Sequence, residues 1–364
     1  MHILPIILLS VFAIFNSTSN YDYHRLEAKH QQLNDSLKYP EESHLKNIRQ
    51  LTFGGNNAEA YFSFDGQHLV FQSDYNEWGL QCDQIFTMSI DQPAHSKPPM
   101  LSTGEGRTTC SYFLPGDETI VYASTHLDQE SCPETPRMVN GKYVWPVYDT
   151  FDIFIADRNG HIIKQLTNSP GYDAEATISP DGKKVVYTST RSGDLELWTM
   201  NIDGSGNRQI TDALGYDGGA FFSPDSKQLV FRASRPQTEE AKTAYKDLLK
   251  KSVVQPTEME LFICNADGSE LKQITNFGGA NWAPFFHPSG DKIIFASNHQ
   301  SASGRGFNLF MINVDGAGLE QITYDPTFDA FPMFSPDGTK LVFSSNRNNG
   351  GTRDTNIFIA DWEE

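Results

Sequence analysis

The chain is short of basic residues, and this shortage excludes one broad class of partner. Lysine and arginine number 28 against 46 aspartate and glutamate residues, which gives a formal net charge of −18 at pH 7. Because phosphate backbones are bound through a basic face, we expect no nucleic-acid partner. Hydrophobic residues make up 38% of the 364 residues, enough for a large core under a solvated acidic surface.

Long apolar runs are missing as well, apart from one at the start. "ILPIILLSVFAIF" (Ile3 to Phe15) is shorter than the roughly 20 residues that a membrane-spanning helix needs. Small polar residues follow, so we predict a secretory signal peptide over residues 1–19 and a periplasmic or secreted protein with no membrane span after cleavage. No Lys or Arg precedes the run, and an uncleaved N-terminal anchor is therefore the alternative.

The familiar catalytic motifs are absent from the sequence. It contains no G-x-S-x-G elbow, no H-E-x-x-H, no P-loop and no EF-hand loop, and no separate segment has the size of an α/β-hydrolase domain. We therefore assign no catalytic residue, no metal ligand and no cofactor from motifs.

One phrase, in contrast, is repeated along the chain. "FSPDGTKLVFSSNR" (Phe334 to Arg347) has near-copies in "ISPDGKKVVYTSTR" (Ile178 to Arg191) and "FSPDSKQLVFRASR" (Phe222 to Arg235). Aligned on the serine of SPDG, the copies fall at Ser63, Leu114, Ser179, Ser223, His287 and Ser335. Four-stranded propeller blades recur at about 40 to 50 residues, so the two longest intervals contain insertions.

Each unit has the pattern of four short strands. "SPDG" and "NxDG" are turn sequences between apolar runs such as "KLVFSS" and "FNLFMIN". The last unit stops after its third strand, and "NIRQLT" (Asn47 to Thr52) is a spare strand at the start. We predict an all-β, six-bladed propeller over residues 47–364, closed by pairing of this strand with Asn356 to Asp361 and preceded by a lead-in segment over residues 20–46.

"FSPDGxxLVFSS" followed by "NxxDG" and "QIT" resembles the repeat of TolB-type, WD40-like propellers, the PD40 repeat, from about Lys46 to Trp362. The resemblance implies the fold rather than one activity. The same repeat occurs in periplasmic scaffold proteins, in the propeller of prolyl-oligopeptidase-type peptidases and in some polysaccharide lyases. TolB-type proteins also have an N-terminal α/β domain that engages partners, whereas Asn20 to Lys46 is all that precedes the first strand here, so we do not expect a Tol-system role.

Two columns of residues recur six positions before and twelve after each aligned residue. Three blades pair an aspartate with an arginine: Asp173 with Arg191, Asp217 with Arg235, and Asp329 with Arg347. Where the aspartate is absent, the arginine is absent too. Because an arginine forks onto a carboxylate with two hydrogen bonds, we predict three structural ion pairs.

In the other three blades these columns hold polar residues that do not form an Asp–Arg pair, and the blade 2 insertion adds aromatic residues. We predict a ligand-binding rim at the channel mouth from Asn57, Tyr75, Thr108, His126, Tyr143, Trp145, Asn281 and His299. Histidine suits a metal or an acidic sugar, although a surface histidine usually holds neither. Tyr143 and Trp145 either line a pocket or pack on the rim.

The blade 4 insertion, "PQTEEAKTAYKDLLKKSVVQP" (Pro236 to Pro256), predicts a helix capped by Thr238 that covers the channel or one edge. Four cysteines allow one disulfide in an oxidising compartment. We predict a Cys82–Cys110 bridge, because both residues approach the same face, with Cys132 as the competing partner. Cys264 lies inside a strand pattern and is expected to be a buried thiol.

Three functions remain open. The first is a non-catalytic binding module or scaffold for a protein segment or a glycan at the channel mouth. The second is a metal-assisted polysaccharide lyase or hydrolase using His126 and His299, and a third is an accessory propeller to a peptidase. Gathering of the two histidines with Glu59 and Glu175 favours an enzyme, and dispersal favours a binding module.

Overall fold

The computed structural model describes residues 37–364, so the predicted signal peptide at residues 1–19 lies outside the described residues, as does most of the lead-in segment. Six antiparallel sheets follow one another along the chain. The first strand of each sheet contacts the first strands of its two neighbours, and the contacts close into a ring around a central channel. The six-bladed propeller predicted from the repeat is confirmed.

The strands divide among the blades in chain order. Before blade 1 lies β1 (Leu45–Gln50). Blade 1 contains β2 (Asn57–Phe62), β3 (His68–Ser73) and β4 (Gln84–Ser89), with a 3-10 turn at Asn76–Trp78. Blade 2 contains β5 (Thr108–Phe113), β6 (Thr119–Ser124), the short β7 (Met138–Val139), β8 (Lys142–Tyr143) and β9 (Trp145–Pro146), then β10 (Asp152–Asp157) and β11 (Ile162–Gln165).

The second half of the chain continues in the same order. Blade 3 contains β12 (Asp173–Ile178), β13 (Lys184–Ser189), β14 (Glu196–Asn201) and β15 (Arg208–Gln209). Blade 4 contains β16 (Asp217–Phe222), β17 (Gln228–Ser234), helix α1 (Glu239–Leu249), β18 (Val253–Val254), β19 (Met259–Asn265) and β20 (Lys272–Gln273). Blade 5 contains β21 (Asn281–Phe286), β22 (Lys292–Ser297), β23 (Asn308–Asn313) and β24 (Glu320–Gln321). Blade 6 contains β25 (Asp329–Phe334), β26 (Lys340–Ser345) and β27 (Asn356–Trp362).

The ring is closed by the strand that the sequence left spare. β1 pairs antiparallel with β27, with Lys46 opposite Asp361 and Gln50 opposite Phe358. The strand begins at Leu45, two residues before the predicted start, and a bulge follows where Asn47 adopts a φ of 49°. The strand that begins at Leu45 therefore completes the last blade, as predicted.

Blade 1 departs from the four-strand pattern. Its sheet has three strands, and β4 meets only a short extended segment, through Thr87 N to Pro99 O at 3.0 Å and Leu101 N to Ile85 O at 2.7 Å. Pro98 and Pro99 have no backbone N–H to give to a ladder, which explains why no regular strand forms there.

Aromatic pairs join the second and third strands of every blade. Directly opposed pairs are Phe71 with Phe86, Tyr122 with Phe154, Tyr187 with Trp198, Phe231 with Phe262, Phe295 with Phe310 and Phe343 with Phe358. Such cross-strand pairs each stabilise a sheet by about 0.2–1 kcal/mol relative to alanine pairs. The repeated phrase therefore specifies the blade core as well as its turns.

A bulge interrupts the first strand of every blade, and this bulge positions the site. The pairing of first and second strands shifts register in the middle of the strand in all six sheets. The bulged residues all have a positive φ, between 44° and 59°: Glu59, Cys110, Glu175, Gly219, Ala283 and Phe331. Non-glycine residues rarely adopt this conformation, so five of the six positions hold a strained backbone.

Candidate functional site

The six bulged residues line the narrowest part of the channel. We call Glu59, Cys110, Glu175, Gly219, Ala283 and Phe331 the channel ring. Each lies four residues before the aligned serine of its repeat. The space they enclose is about 20 Å³, close to the volume that holds one water molecule. The ring is therefore a neck that admits only one small group at a time.

A larger cavity of about 380 Å³ opens above the neck, on the side away from the SPDG turns. We call it the mouth cavity. Its polar lining includes Asp83, Arg107, Glu59, Glu175 and Arg232, and its aromatic lining includes Tyr143, Trp145, Tyr148, Tyr172, Tyr216 and Trp282. On the opposite face a second cavity, of about 230 Å³, is lined by the aromatic and proline residues of the SPDG turns. The charged residues of the channel therefore lie at one end, and the other end is apolar.

Two insertions meet above the mouth cavity. β9 from blade 2 pairs with β18 from blade 4, with Val254 opposite Trp145. Val144, Val253 and Leu248 of α1 share a buried apolar cluster beneath this pairing. We call β9, β18 and α1 the roof. The predicted helix is confirmed, and Thr238 caps it by accepting a hydrogen bond from Ala241 N.

Arg232 and Glu175 form the main ion pair of the site. Nη2 of Arg232 lies 2.6 Å from Oε1 of Glu175 and donates to the Tyr216 hydroxyl at 2.7 Å. The second carboxylate oxygen accepts from Thr188 Oγ1 at 2.8 Å and from Gly219 N at 2.7 Å. The neighbouring carboxylate holds the pKa of Arg232 above its ordinary value despite burial of the guanidinium. Glu175 is thus fully engaged with protein groups.

Aromatic rings enclose the Arg232 guanidinium from two sides. Its centre lies 5.3 Å from the Trp145 ring and 5.2 Å from the Tyr216 ring. Trp145 also packs against Trp282 at 4.9 Å, and Trp282 Nε1 donates to Pro256 O at 3.0 Å. A cation between aromatic faces gains about 0.5–2 kcal/mol, more where water is excluded. The roof is therefore tied to the channel through one arginine.

Glu59 is the ring carboxylate without a cation of its own. Its Oε2 atom is buried and has no hydrogen-bond partner among residues 37–364. The pKa of Glu59 is raised to about 7, mainly by burial and also by the nearby Glu175 charge, and a hydrogen bond from the Cys110 thiol opposes this rise. The pKa of Cys110 is also raised, because the thiol is buried beside Glu59 and Glu175.

Three of the eight predicted rim residues line the mouth cavity. Thr108, Tyr143 and Trp145 do so, and Thr108 Oγ1 also donates to Asp83 O at 2.9 Å. Asn57 and Asn281 are buried and use their side-chain amides on backbone carbonyls, of Gly54 and Thr355 and of Met259 respectively. These two asparagines hold loops in place and do not line the cavity.

The remaining three predicted rim residues lie along the blades. His126 packs against Phe154 with ring centroids 4.5 Å apart and the two rings tilted. His299 lies 4.8 Å from Phe277 and 4.6 Å from Phe310. Tyr75 packs against Trp78 and bonds Glu77 through its hydroxyl at 2.8 Å.

Burial lowers the pKa of both histidines, and each Nδ1 contacts a serine of its own blade, Ser124 or Ser297. The same column places Arg191, Arg235 and Arg347 over third-strand aromatic rings. The column therefore turns toward the third strand of its blade, and the two histidines do not join Glu59 and Glu175. Among residues 37–364, no group of three or more His, Cys, Asp or Glu side chains is arranged to hold a metal ion.

All three predicted ion pairs are present. The shared contact is arginine Nη2 to an aspartate Oδ2, at 2.9 Å for Arg191–Asp173, 2.9 Å for Arg235–Asp217 and 3.0 Å for Arg347–Asp329. Of the three pairs, only Arg235 uses two nitrogens on both oxygens of its aspartate, whereas Arg347 forms such a two-nitrogen contact with Glu42. In the other two blades Nε donates to a serine hydroxyl instead, Ser189 or Ser345, each at 3.0 Å.

The predicted disulfide partner of Cys82 was wrong. Cys82 is bonded to Cys132, and Cys110 and Cys264 are free thiols. The β5 bulge is the physical reason, because it turns Cys110 into the channel, away from the loop that contains Cys82. The observed bond links the blade 1 loop to the blade 2 insertion and so anchors one end of the chain segment leading to β9.

The site residues outside the predicted rim occupy two further columns, and of these Glu59 and Glu175 were named from the sequence, whereas Cys110 and Arg232 were missed. Glu59, Cys110 and Glu175 are chemically active residue types at one position of the repeat. Arg232 lies nine positions after its aligned serine, where the other blades have uncharged residues, and it coincides with Gly219 in the bulge of the same blade. A Cβ at Gly219 would lie 1.8 Å from Nη1 of Arg232. The occurrence in one blade of an arginine in the second strand and a glycine in the first strand was the sequence signal that could have identified this contact.

Comparison with known proteins agrees with this geometry. The model of the TolB β-propeller domain (PD40) matches residues 147–258 and 252–361, more than half of the chain. The Tol-Pal system protein TolB of Bordetella pertussis is 38% identical over 45 residues, which cover 12% of this chain and 10% of that protein. The chain thus aligns with only about a tenth of the length of this curated relative.

Two solved structures share the fold at low sequence identity. TolB from Acinetobacter baumannii is 16% identical, with 86% of this chain and 65% of that chain covered and a TM-score of 0.52. Oligogalacturonate lyase from Vibrio parahaemolyticus is 12% identical, with 88% and 94% covered and a TM-score of 0.51. In the described part of the chain, no helix has the length and apolar character needed to cross a membrane.

Proposed function

The chain belongs to the TolB β-propeller family, and from this premise we propose that it is an exported, non-catalytic binding module. Its ligand is a protein segment or a glycan fragment held in the mouth cavity. The single observation that carries the proposal is the pairing of β9 with β18, which sets Trp145 above the Arg232–Glu175 pair. Two insertions from different blades thus build one aromatic, partly covered cavity at one end of the channel.

A cavity of this kind suits recognition. Aromatic side chains supply large contact areas at low cost in side-chain entropy, and the buried pair presents fixed polar atoms between them. Glu175 is held by four donors, from Arg232, Tyr216, Thr188 and Gly219. An acid–base group must exchange protons during a reaction, whereas a carboxylate held in this way is a rigid part of the wall. This engagement favours binding over acid–base chemistry at Glu175.

A binding screen tests the proposal. Purified protein is screened by thermal shift and calorimetry against a short-peptide library and an array of acidic and neutral oligosaccharides. Trp145→Ala is expected to weaken binding of any hit at least tenfold, because it removes the ring over Arg232. Trp198→Ala is the matched control, since Trp198 stacks on Arg191 outside the mouth cavity. Equal affinity of the two variants, or turnover of a hit, would contradict the proposal.

Export is part of the proposal and is tested separately. Fractionation of the producing cells and mass measurement of the protein should place it outside the cytoplasm with a new amino terminus near residue 20. The Cys82–Cys132 bond supports this location, because such bonds persist in oxidising compartments. A cytoplasmic protein that retains residues 1–19 would contradict it.

A further inference from the structure

The floor of the mouth cavity has one more carboxylate than it has guanidinium groups. Two carboxylates, Glu59 and Glu175, belong to the channel ring, and one guanidinium, Arg232, reaches it. That guanidinium is bound to Glu175 and Tyr216. Part of Glu59 faces the open channel, while its Oε2 is buried without a hydrogen-bond partner in the described part of the chain. A buried carboxylate oxygen without a hydrogen-bond partner is costly unless a cation or donor comes to it.

Glu59 lines both the mouth cavity and the ring, and the shape of the channel limits what can enter the ring beside it. The mouth cavity of about 380 Å³ narrows to about 20 Å³ at the ring, where Tyr61, Phe221 and Phe331 form the apolar part of the wall. One group the size of a water molecule fits in this neck. A pyranose ring, with six ring atoms and their substituents, is too large to enter. An ammonium group at the end of a slender chain has the right size and charge.

We propose that the channel floor is a receptor for a primary ammonium group, the amino-terminal end of a polypeptide that enters through the mouth cavity. The proposal rests on the proposed function and selects the protein segment over the glycan. A chain end brings a single strand of polypeptide beneath the roof. A lysine in the middle of a chain brings two, and the β9–β18 pairing restricts that space.

Glu59 then acts as the counter-ion of the bound amine. Its surroundings are the Glu175 carboxylate, the Arg232 guanidinium, the Cys110 thiol, the more distant Asp83 and the Tyr61 hydroxyl. Without ligand, burial raises the pKa of Glu59 to about 7, so about half of the molecules hold a proton there at pH 7. An ammonium favours the ionised form and releases that proton. A free amino terminus, with a pKa of about 7.7–8.0, takes up about 0.1 protons when it binds as an ammonium at pH 7, so the net release should be about 0.4 protons per ligand.

The test uses tetrapeptide libraries in two forms, one with free amino ends and one N-acetylated, titrated into the full-length protein by calorimetry. Free-amine peptides are expected to bind at least tenfold more tightly than their acetylated twins. Glu59→Gln should remove that difference, and repetition in buffers of different ionisation heat should show the released proton only with Glu59 present. Glu196→Gln is the matched control, because Glu196 is also buried with a raised pKa but does not line the channel.

The outcomes separate the two proposals. Equal affinity for free and acetylated peptides, with Trp145→Ala still weakening both, overturns the ammonium receptor and leaves the binding module intact. Binding of oligosaccharides but of neither peptide form overturns the choice of a polypeptide. Acetylated peptides with an internal lysine form a third arm. If they bind as tightly as free amino ends and depend on Glu59, the amino-terminal assignment is wrong and the amine comes from a side chain.

Discussion

Arg347 donates through Nη2 to Asp329 at 3.0 Å and to Glu42 at 2.9 Å, so one guanidinium binds two carboxylates. All three groups are buried, and Leu37 O accepts from Nη1 of the same arginine at 3.0 Å. Leu37 and Glu42 belong to the lead-in segment, which therefore docks onto blade 6 before β1 begins. The predicted ion pair of blade 6 is also the attachment point of the amino-terminal segment.

Arg347→Met should destabilise the protein strongly. It removes the cation from two buried carboxylates, and loss of one partner from a buried ion pair typically costs about 3–5 kcal/mol. We expect a fall of several degrees in the melting temperature, measured by calorimetry. Arg191→Met is the matched control, because the Arg191 side chain is more exposed and binds a single carboxylate. Its effect should be clearly smaller, and equal shifts for the two variants would argue against the Glu42 contact.

Gly219→Ala should lower the unfolding free energy by more than the addition of one methyl group usually does. A Cβ at Gly219 would lie 1.8 Å from Nη1 of Arg232, and the φ of +59° is strained for alanine. The strain costs about 1–2 kcal/mol, and displacement of Arg232 from Glu175 adds to it. Gly278→Ala has a similar φ of +71° and open space around it, so it reports the backbone cost alone. Chemical denaturation of both variants measures the difference, which the clash predicts to exceed 2 kcal/mol.

Reduction of the disulfide should loosen the blade 2 insertion. The Cys82–Cys132 bond closes a loop with a sequence separation of 50, and constraint of such a loop in the unfolded chain is worth about 4 kcal/mol in the entropic account. The double variant Cys82→Ser/Cys132→Ser should melt at a lower temperature, and its melting should not respond to a reducing agent. Cys264→Ala, a buried free thiol, is the control that keeps the response. A Cys82–Cys110 peptide in non-reducing mass mapping would refute the assignment.

The sequence was sufficient to predict the six-bladed propeller and the three ion pairs, because both patterns repeat within the chain. The Asp–Arg pattern occurs in three blades at one spacing, and the other three blades lack both the aspartate and the arginine. This joint presence and absence indicated that the two residues are partners. The strand pairing of β1 with β27 followed from counting strands, although its start and its bulge did not. The six repeats could be aligned with one another, which supplied the comparison between related sequences that a single sequence normally lacks.

The channel ring could not be predicted because its position depends on a bulge. A regular strand alternates its side chains between two faces, and an extra residue in the middle changes which ones face the channel. The bulged position holds residues as different as Glu59, Gly219 and Phe331, so no composition marks it. The same bulge turned Cys110 away from Cys82. The roof was also out of reach, since β9 and β18 are more than a hundred residues apart in sequence.

The misplaced histidines have a simpler cause. His126 and His299 occupy the column of the ion-pair arginines, and side chains in that column turn toward the third strand of the blade. There an aromatic ring packs against either a guanidinium or an imidazole. Arg191 lies 5.0 Å from Trp198 there, and His126 lies 4.5 Å from Phe154. The column is uniform in its packing, although its residue types differ between blades.

Glu59 should make the protein more stable in mild acid than in mild base. Burial raises the pKa of its carboxyl from 4.5 to about 7 in the folded protein, so the folded state binds a proton that the unfolded state releases above pH 4.5. The contribution of Glu59 is therefore full below pH 4.5 and is lost as the pH rises from about 4.5 to 7, by about 3 kcal/mol in all. Glu196, with a pKa raised to about 8, contributes with the same sign. The measurement is the difference in unfolding free energy between wild type and Glu59→Gln at several pH values, with Glu196 common to both. The unfolding free energy of the variant should rise relative to that of wild type as the pH rises to 7, and the difference should then stay level. A difference that does not change between pH 4.5 and 7 would show that the Glu59 carboxyl is solvated and that the channel floor holds no uncompensated charge.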